Sequence, residues 1–283
     1  MTNRVVMCLL KATWALTRAS HPVPTAAVTS LTIALGWVLG VRGAQLATLA
    51  IAILSGQLSV GWLNDLIDRH RDRAAGRSDK PLAVGSISPA TVRWAVGVAA
   101  GVCVPASLAL GAIPGTAHLA AVAGAWAYNL GVKQTAWSWL PYAASFGLLP
   151  VIVWLVSPQP GVPPWWMIAG GALLGVGAHG ANVLPDLEDD HATGVAGLPH
   201  RLPLNLLRAA TAVVLLGALA LLTLGPAQPL GPVEITSLAA GAALAAVASG
   251  LGDAWLPARA PLLAAAAIAA LAIASLLAAG ATP

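Results

Sequence analysis

This 283-residue chain has only ten Asp and Glu residues, and eight of them fall in two short stretches. The first, NDLIDRHRDRAAGRSDKPL (residues 64–82), holds Asp65, Asp68, Asp72 and Asp79. The second, NVLPDLEDDHATG (residues 182–194), holds Asp186, Glu188, Asp189 and Asp190. Each opens with Asn and places Asp four and eight positions later, giving Asn64, Asp68 and Asp72 in one and Asn182, Asp186 and Asp190 in the other. Positions so spaced drift slowly around one face of an α-helix, so each stretch is expected to project a column of oxygen ligands. Asp65 lies close to the first column.

Clustered carboxylates repel one another unless a cation joins them, and ionisable groups at membrane depth point to function. Hard oxygen donors without His or Cys suit Mg²⁺, which typically takes one or two carboxylates together with substrate phosphates. An EF-hand is excluded, since it needs acids two apart around a central Gly. The cations Arg77, Lys80 and Lys133 follow the first cluster and the segment YNLGVKQ. They would neutralise charge on a departing diphosphate alongside Mg²⁺. A ring face such as Trp62 or Tyr128 would stabilise a carbocation; against this, Trp62 reads as a packing residue and Tyr128 equally as an interfacial belt residue. His179, seven before Asp186, either faces the same space or is a packed, hydrogen-bonded histidine. Arg69, Arg71 and Arg73 read as topology charges, His191 and His200 as loop residues, and Asp189 has no assigned role.

These residues must be positioned by elements that live in lipid. The chain is 58% hydrophobic and 8% charged, with a mean hydropathy of +0.81, where soluble domains carry about 25% charged residues. It reads as an integral, multi-pass, all-α membrane protein. Nine spans are expected, near residues 25–40, 44–63, 90–110, 117–132, 141–156, 165–184, 205–224, 235–251 and 260–279. With the N-terminus in the cytoplasm, 13 of the 14 Lys and Arg lie on or beside that side and Arg42 is the exception, as the positive-inside rule asks. Both acidic stretches then share the cytoplasmic face, four spans apart, which suggests two four-helix halves plus a ninth helix around a central cavity.

Residues 1–24 read as an interfacial segment, with Val6, Leu9, Leu10 and Trp14 opposing Lys11 and Arg18 and HPVP turning the chain into the bilayer. Cys8 and Cys103 form no ligand spacing and read as fillers. The net charge of +4 comes with no basic, aromatic-interleaved face, so nucleic acid is excluded as a partner. Small-residue pairs Gly36/Gly40, Gly97/Gly101 and Gly171/Gly175 are expected to let helices approach closely, and Trp165 and Trp166 to anchor a span start.

The stretches NDLIDRHRD with RSDKPL, YNLGVK, and NVLPDLEDDHATG followed by GLP resemble the UbiA superfamily of intramembrane prenyltransferases over nearly the whole chain, residues 1–283 as one domain. The resemblance implies a Mg²⁺ cofactor and an isoprenyl diphosphate donor, C10 to C20 or longer, whose prenyl group passes to an aromatic or lipid acceptor with release of pyrophosphate. It further implies a first metal and diphosphate site at Asn64, Asp68 and Asp72, and a second at Asp186 and Asp190 assisted by Asn182. Arg77, Lys80 and Lys133 would contact the diphosphate and Tyr128 would sit near the diphosphate or the reacting carbon. VKQ departs from the Lys-Arg of many members. Two alternatives stay open: cyclisation of the prenyl diphosphate within the same superfamily, and, from another class, a secondary transporter.

Overall fold

The computed structural model describes residues 2–280 apart from 160, 193 and 251–254. The side chains of Cys8, Leu9, Asp189 and His191, and all of Asp253, lie outside the described residues. Among the described residues there is no strand. The helices are α1 Thr2–Ala19, α2 Pro22–Val38, α3 Gly43–Ala74, α4 Pro89–Ala109, α5 Ala112–Leu130, α6 Trp139–Val156, α7 Trp165–Val183, α8 Leu187–Ala192, α9 Leu204–Leu224, α10 Pro232–Ala248 and α11 Ala260–Ala278. Each of the nine expected spans overlaps one of these helices. Six, α3, α4, α6, α7, α9 and α11, are long and apolar enough to cross a membrane, and α2 and α10 are shorter apolar helices.

Consecutive helices pack side by side, and α11 returns to touch α2, so the helices form a closed ring. Cavity-lining residues come from α2, α3, α5, α6, α7, α8, α9 and α11 and from the loops at their ends, whereas α4 and α10 contribute none. Outside the ring, α4 displays Trp94 and Val98 and α9 displays Val213, an apolar exterior that suits lipid. The inner place beside α3 is taken by α5, and the corresponding place beside α7 is taken by α11.

Far from the acidic stretches the ring is plugged by a packed cluster that includes Leu39, Leu49, Ile53, Ile152, Val153, Met167 and Leu276. Gly171 and Gly175 act as expected. A Cβ on Gly171 would meet the Phe146 carbonyl oxygen at 2.6 Å, and one on Gly175 would collide with that of Tyr142, so α6 and α7 approach closely there. Gly36 packs under Leu46 and Leu49. Gly97 and Gly101 do not fit the expectation, because nothing lies within 4 Å of the position a Cβ would take. Gly40 terminates its helix at a φ of 90° and is a turn residue.

The N-terminal segment is helical, as expected, with Val6, Leu10 and Trp14 exposed. Its end is fixed to α3: Trp62 Nε1 donates to the Leu16 carbonyl at 2.9 Å, so Trp62 is a packing residue and does not line the cavity. At the α1–α2 junction His21 adopts a left-handed conformation, φ 53°, immediately before Pro22. Trp165 is exposed as an anchor would be, but Trp166 is partly buried against the cores on both sides of α7. Arg42, the lone basic exception, lies over the Trp37 ring at 4.7 Å and donates to the Trp37 carbonyl.

Candidate active site

A cavity of about 410 Å³ runs down the ring, and Asn64, Asp68, Asp72, Arg77, Lys80, Tyr128, Lys133, Asn182, Asp186 and Asp190 all line it. All ten candidate residues are thus brought to one space, although the two acidic stretches reach it differently.

The first stretch rides on an unbroken helix. Helix α3 continues past the apolar span to Ala74, so Asn64, Asp68 and Asp72 form the expected column. The acids are deeply buried, with Asp65 1% exposed and Asp68 and Asp72 6% each, and burial of a carboxylate demands partners. Asp68 receives Lys133 Nζ on both oxygens, at 2.6 and 2.7 Å, and Arg71 at 3.0 Å. Lys133 sits in a 3-10 turn after α5, and its own burial pushes its pKa below the ordinary lysine value against the pull of Asp68. Arg71 therefore does more than set topology, since it lines the cavity and pairs with a motif acid.

Asp65 lies outside the lining residues and holds others in place. Its Oδ1 meets Lys80 Nζ at 2.8 Å and His21 Nε2 at 2.9 Å. His21 Nε2 in turn stands 3.2 Å from both Asn64 Nδ2 and Lys80 Nζ. Lys80 arrives on a loop fastened by Arg73, which donates to the carbonyls of Leu82 and Ala83, and by Arg18, which donates to the Asp79 carbonyl. Neither His21 nor the role of Asp65 was readable in the sequence, because a helix junction 43 or 44 residues away gives no local pattern.

The second stretch departs from the expected column. Helix α7 ends at Val183, a 3-10 turn covers Leu184–Asp186, and α8 begins at Leu187. Pro185 explains the break, since it lacks the N–H that would continue the ladder and its ring crowds the preceding turn. The acids there are more open, with side chains 46% exposed for Asp186 and 21% for Asp190. Arg77 Nη1 reaches Asp186 at 3.4 Å while its Nε and Nη2 hold Asp79 at 3.0 and 3.1 Å. That bond to Arg77 keeps the Asp79 carboxyl below the usual carboxylate range. Arg77 so ties the two acidic stretches together across the mouth. His200, expected as a loop residue, is buried in the cavity wall with Nε2 3.0 Å from Asp190 Oδ2.

An aromatic cluster lies beneath the acids. Tyr128 and Tyr142 meet edge to face with centroids 5.2 Å apart, and His179 stacks on Tyr142 at 4.6 Å. His179 is buried with Nε2 3.1 Å from Ser138 Oγ and does not line the cavity, so it is the packed histidine. Tyr142 does line the cavity and was missed, because one tyrosine on an apolar span carries no pattern.

The donor set fits Mg²⁺. Asn64, Asp68, Asp72, Asp186 and Asp190 offer only hard oxygens, and the Asp72 carboxylate has no hydrogen-bond or ion-pair partner among the described residues though it is buried against the cavity. No three Asp, Glu, His or Cys side chains among the described residues converge on one point.

The model of the UbiA prenyltransferase family matches residues 22–276. No curated protein sequence matches the chain. Among solved structures, it is similar to a UbiA homologue from Archaeoglobus fulgidus bound to GPP and Mg²⁺, with a TM-score of 0.72 and 16% identity over 94% of this chain and 99% of that one. It is also similar to the apo UbiA homologue from Aeropyrum pernix K1, with a TM-score of 0.69 and 19% identity over 89% and 97% of the two chains. A structure of digeranylgeranylglyceryl phosphate synthase gives a TM-score of 0.64 and 14% identity over 95% and 96%. At these identities the likeness is one of fold.

Proposed function

The chain belongs to the UbiA prenyltransferase family, a multi-pass membrane protein by that membership and its apolar helices, and from that premise we propose that it transfers the prenyl group of an isoprenyl diphosphate to an aromatic or other lipophilic acceptor. The observation that carries this is the cavity itself, which joins two acidic stretches at one end to an apolar chamber closed by Met167 and Leu276 at the other. A diphosphate fits the acidic, cation-flanked mouth only with a metal, and a hydrocarbon tail fits the chamber. GPP and DMAPP, each bound with Mg²⁺ in the Archaeoglobus homologue, have this divided chemistry.

Asp72, with Asp68, Asp186 and Asp190 and the amides of Asn64 and Asn182, would hold Mg²⁺. When bound, Mg²⁺ neutralises charge on a diphosphate leaving group. Lys133, Lys80 and Arg77 offer the diphosphate fixed positive charge, which stabilises it most as the C1–O bond breaks and the electron pair leaves on pyrophosphate. Tyr128 and Tyr142 present ring electrons toward the resulting allylic cation. The chamber keeps water from that cation until an acceptor carbon attacks it. The charge bias of the loops supports a cytoplasmic mouth.

Purified protein incubated with Mg²⁺ and C10, C15 or C20 diphosphates, with and without aromatic acceptors, tests the reading by mass spectrometry of products. Prenylated acceptor and pyrophosphate are expected. A cyclic terpene formed without acceptor would replace transfer with intramolecular cyclisation, and no diphosphate release at all would favour a transporter.

A further inference from the structure

One face of the molecule lies outside the ring and takes no part in the cavity. Along α1 the side chains of Val6, Met7, Leu10 and Trp14 are exposed, Trp14 to 65%. Their spacing of three and four residues makes them one stripe, and Lys11 and Arg18, also exposed, flank it. The opposite side of α1 is packed. Ala15 is buried with Leu82, Ile87 and Val92, and Leu16 leans on the same cluster. Helix α1, the loop that ends at Ser88 and the first turn of α4 therefore make one packed unit.

The rest of that unit repeats the chemistry of α1. Trp94 is 76% exposed and Val84 is exposed as well. Arg93 adjoins Trp94 in the chain, and Arg73 donates to the carbonyls of Leu82 and Ala83, next to Val84. Acids do not balance these cations: before Asp186 the chain has Asp65, Asp68 and Asp72, all buried, and Asp79, which Arg77 holds. Rings and aliphatic side chains interleaved with Lys and Arg match the boundary between acyl chains and headgroups. Anionic lipid attracts the whole set, whereas neutral lipid offers only its apolar part a place. A second copy of this chain fits less well, because a face paired with itself would bring Lys11, Arg18 and Arg93 toward like charges.

The unit is also tied to the mouth of the cavity. Arg18 donates to the Asp79 carbonyl, one residue before Lys80, and Trp62 of α3 donates to the Leu16 carbonyl. Helix α1 then runs into His21, whose Nε2 stands 3.2 Å from Lys80 Nζ. Whatever holds α1 therefore holds the loop that carries Lys80.

We propose that this unit is a docking surface for anionic phospholipid headgroups, and that seating α1 on them steadies the loop that carries Lys80. The apolar stripe enters the interface while Lys11 and Arg93 meet lipid phosphate oxygens. Because the surface lies outside the cavity, its occupancy does not depend on prenyl transfer.

The test is hydrogen exchange of the full chain in nanodiscs of phosphatidylcholine alone and of phosphatidylcholine with about 30% phosphatidylglycerol. Amides of residues 6–18 and 79–88 are expected to exchange about tenfold more slowly in the anionic discs. A cation near such a surface contributes about fivefold, so Lys11→Gln combined with Arg93→Gln should cut the difference to about twofold or less. Screening by about 0.5 M NaCl should do the same. A wild-type melting temperature verifies that the double variant folds, and Lys11→Gln alone serves if it does not. Equal exchange of wild type in both discs, or an undiminished difference in the variant, overturns the lipid surface and leaves the face to a protein partner. Slowing confined to residues 6–18 overturns the link to the Lys80 loop while leaving the surface in place.

Discussion

The two acidic stretches carry the same residues at the same spacing, yet one is a buried column and the other an open bend. Asn64, Asp68 and Asp72 ride on an unbroken α3, and their low exposure has drawn in Lys133 and Arg71, with Lys80 and His21 on neighbouring Asp65. Asn182, Asp186 and Asp190 follow the break at Pro185, stand nearer solvent, and share Arg77 and His200. Burial explains the difference in partners, because a carboxylate removed from water needs a counter-charge while one at the mouth is partly solvated. The first stretch is therefore part of what holds the ring together, and on the proposed reading the second would be chiefly a ligand arm.

That contrast breaks most sharply at Asp68. Asp68→Asn would leave Lys133, itself 6% exposed, without its carboxylate, a change that costs on the order of 3–5 kcal/mol when one partner of a buried pair is removed. Diphosphate release would fall about 10³-fold, and the melting temperature in detergent would fall with it. Asp72→Asn would lose as much activity with little loss of stability, since the Asp72 carboxylate has no hydrogen-bond or ion-pair partner among the described residues. Equal melting temperatures for the two variants would show that the pairing of Asp68 with Lys133 does not divide them. The pH dependence sharpens the point. Without Asp68, the folded-state pKa of Lys133 drops further below the unfolded value, so the unfolded state binds more protons and stability rises with pH. The stability gap between wild type and Asp68→Asn, measured without Mg²⁺, should narrow from pH 7 toward the ordinary lysine value of 10.5.

At the second stretch the expected balance reverses. Asp186→Asn and Asp190→Asn would each lower activity about 10²-fold, chiefly by raising the Mg²⁺ concentration needed for half-maximal rate, and partial rescue by added Mg²⁺ would follow. Their melting temperatures should stay near wild type, because partly solvated ion pairs contribute about 0–1 kcal/mol. A large loss of stability in either variant would remove the distinction between a structural stretch and a ligand arm.

Much of this was legible in the sequence, and the limits have physical causes. Nine apolar segments became helices because hydropathy and Gly/Pro punctuation report directly on burial in lipid. Ten candidate residues line one cavity; six of them were legible from a repeated Asn/Asp spacing that is rare by chance in a chain with so few acids, and the other four from the charged and aromatic residues at or just past the ends of the first stretch and α5. His21, Tyr142, His200 and the pairing role of Asp65 were not legible, since each depends on contacts between helices distant in sequence. Gly97 and Gly101 misled for a related reason: a spacing of four marks one face of a helix, but the face can look outward. The second column misled because i, i+4 and i+8 share a face only while the helix continues, and the proline that ends it was in plain view at position 185.

Pro185 supplies the finest test of the comparison. Pro185→Ala restores an N–H and removes the ring clash, so the turn over Leu184–Asp186 would relax toward a helix continuous with α7. Asp186 and Asp190 would then rotate toward a column like that on α3, and Arg77, which meets Asp186 at only 3.4 Å, would lose its reach across the mouth. A loss in kcat/KM of several-fold is expected, carried mostly by KM for the diphosphate, since the residues themselves remain and only their approach to the ligand changes. The same substitution should raise the melting temperature slightly, because Ala is favoured over Pro inside a helix by about 3 kcal/mol, less what strain the surroundings impose. Unchanged kinetics would mean that the second stretch works equally well as a column, and that its bend reflects the proline rather than the ligand.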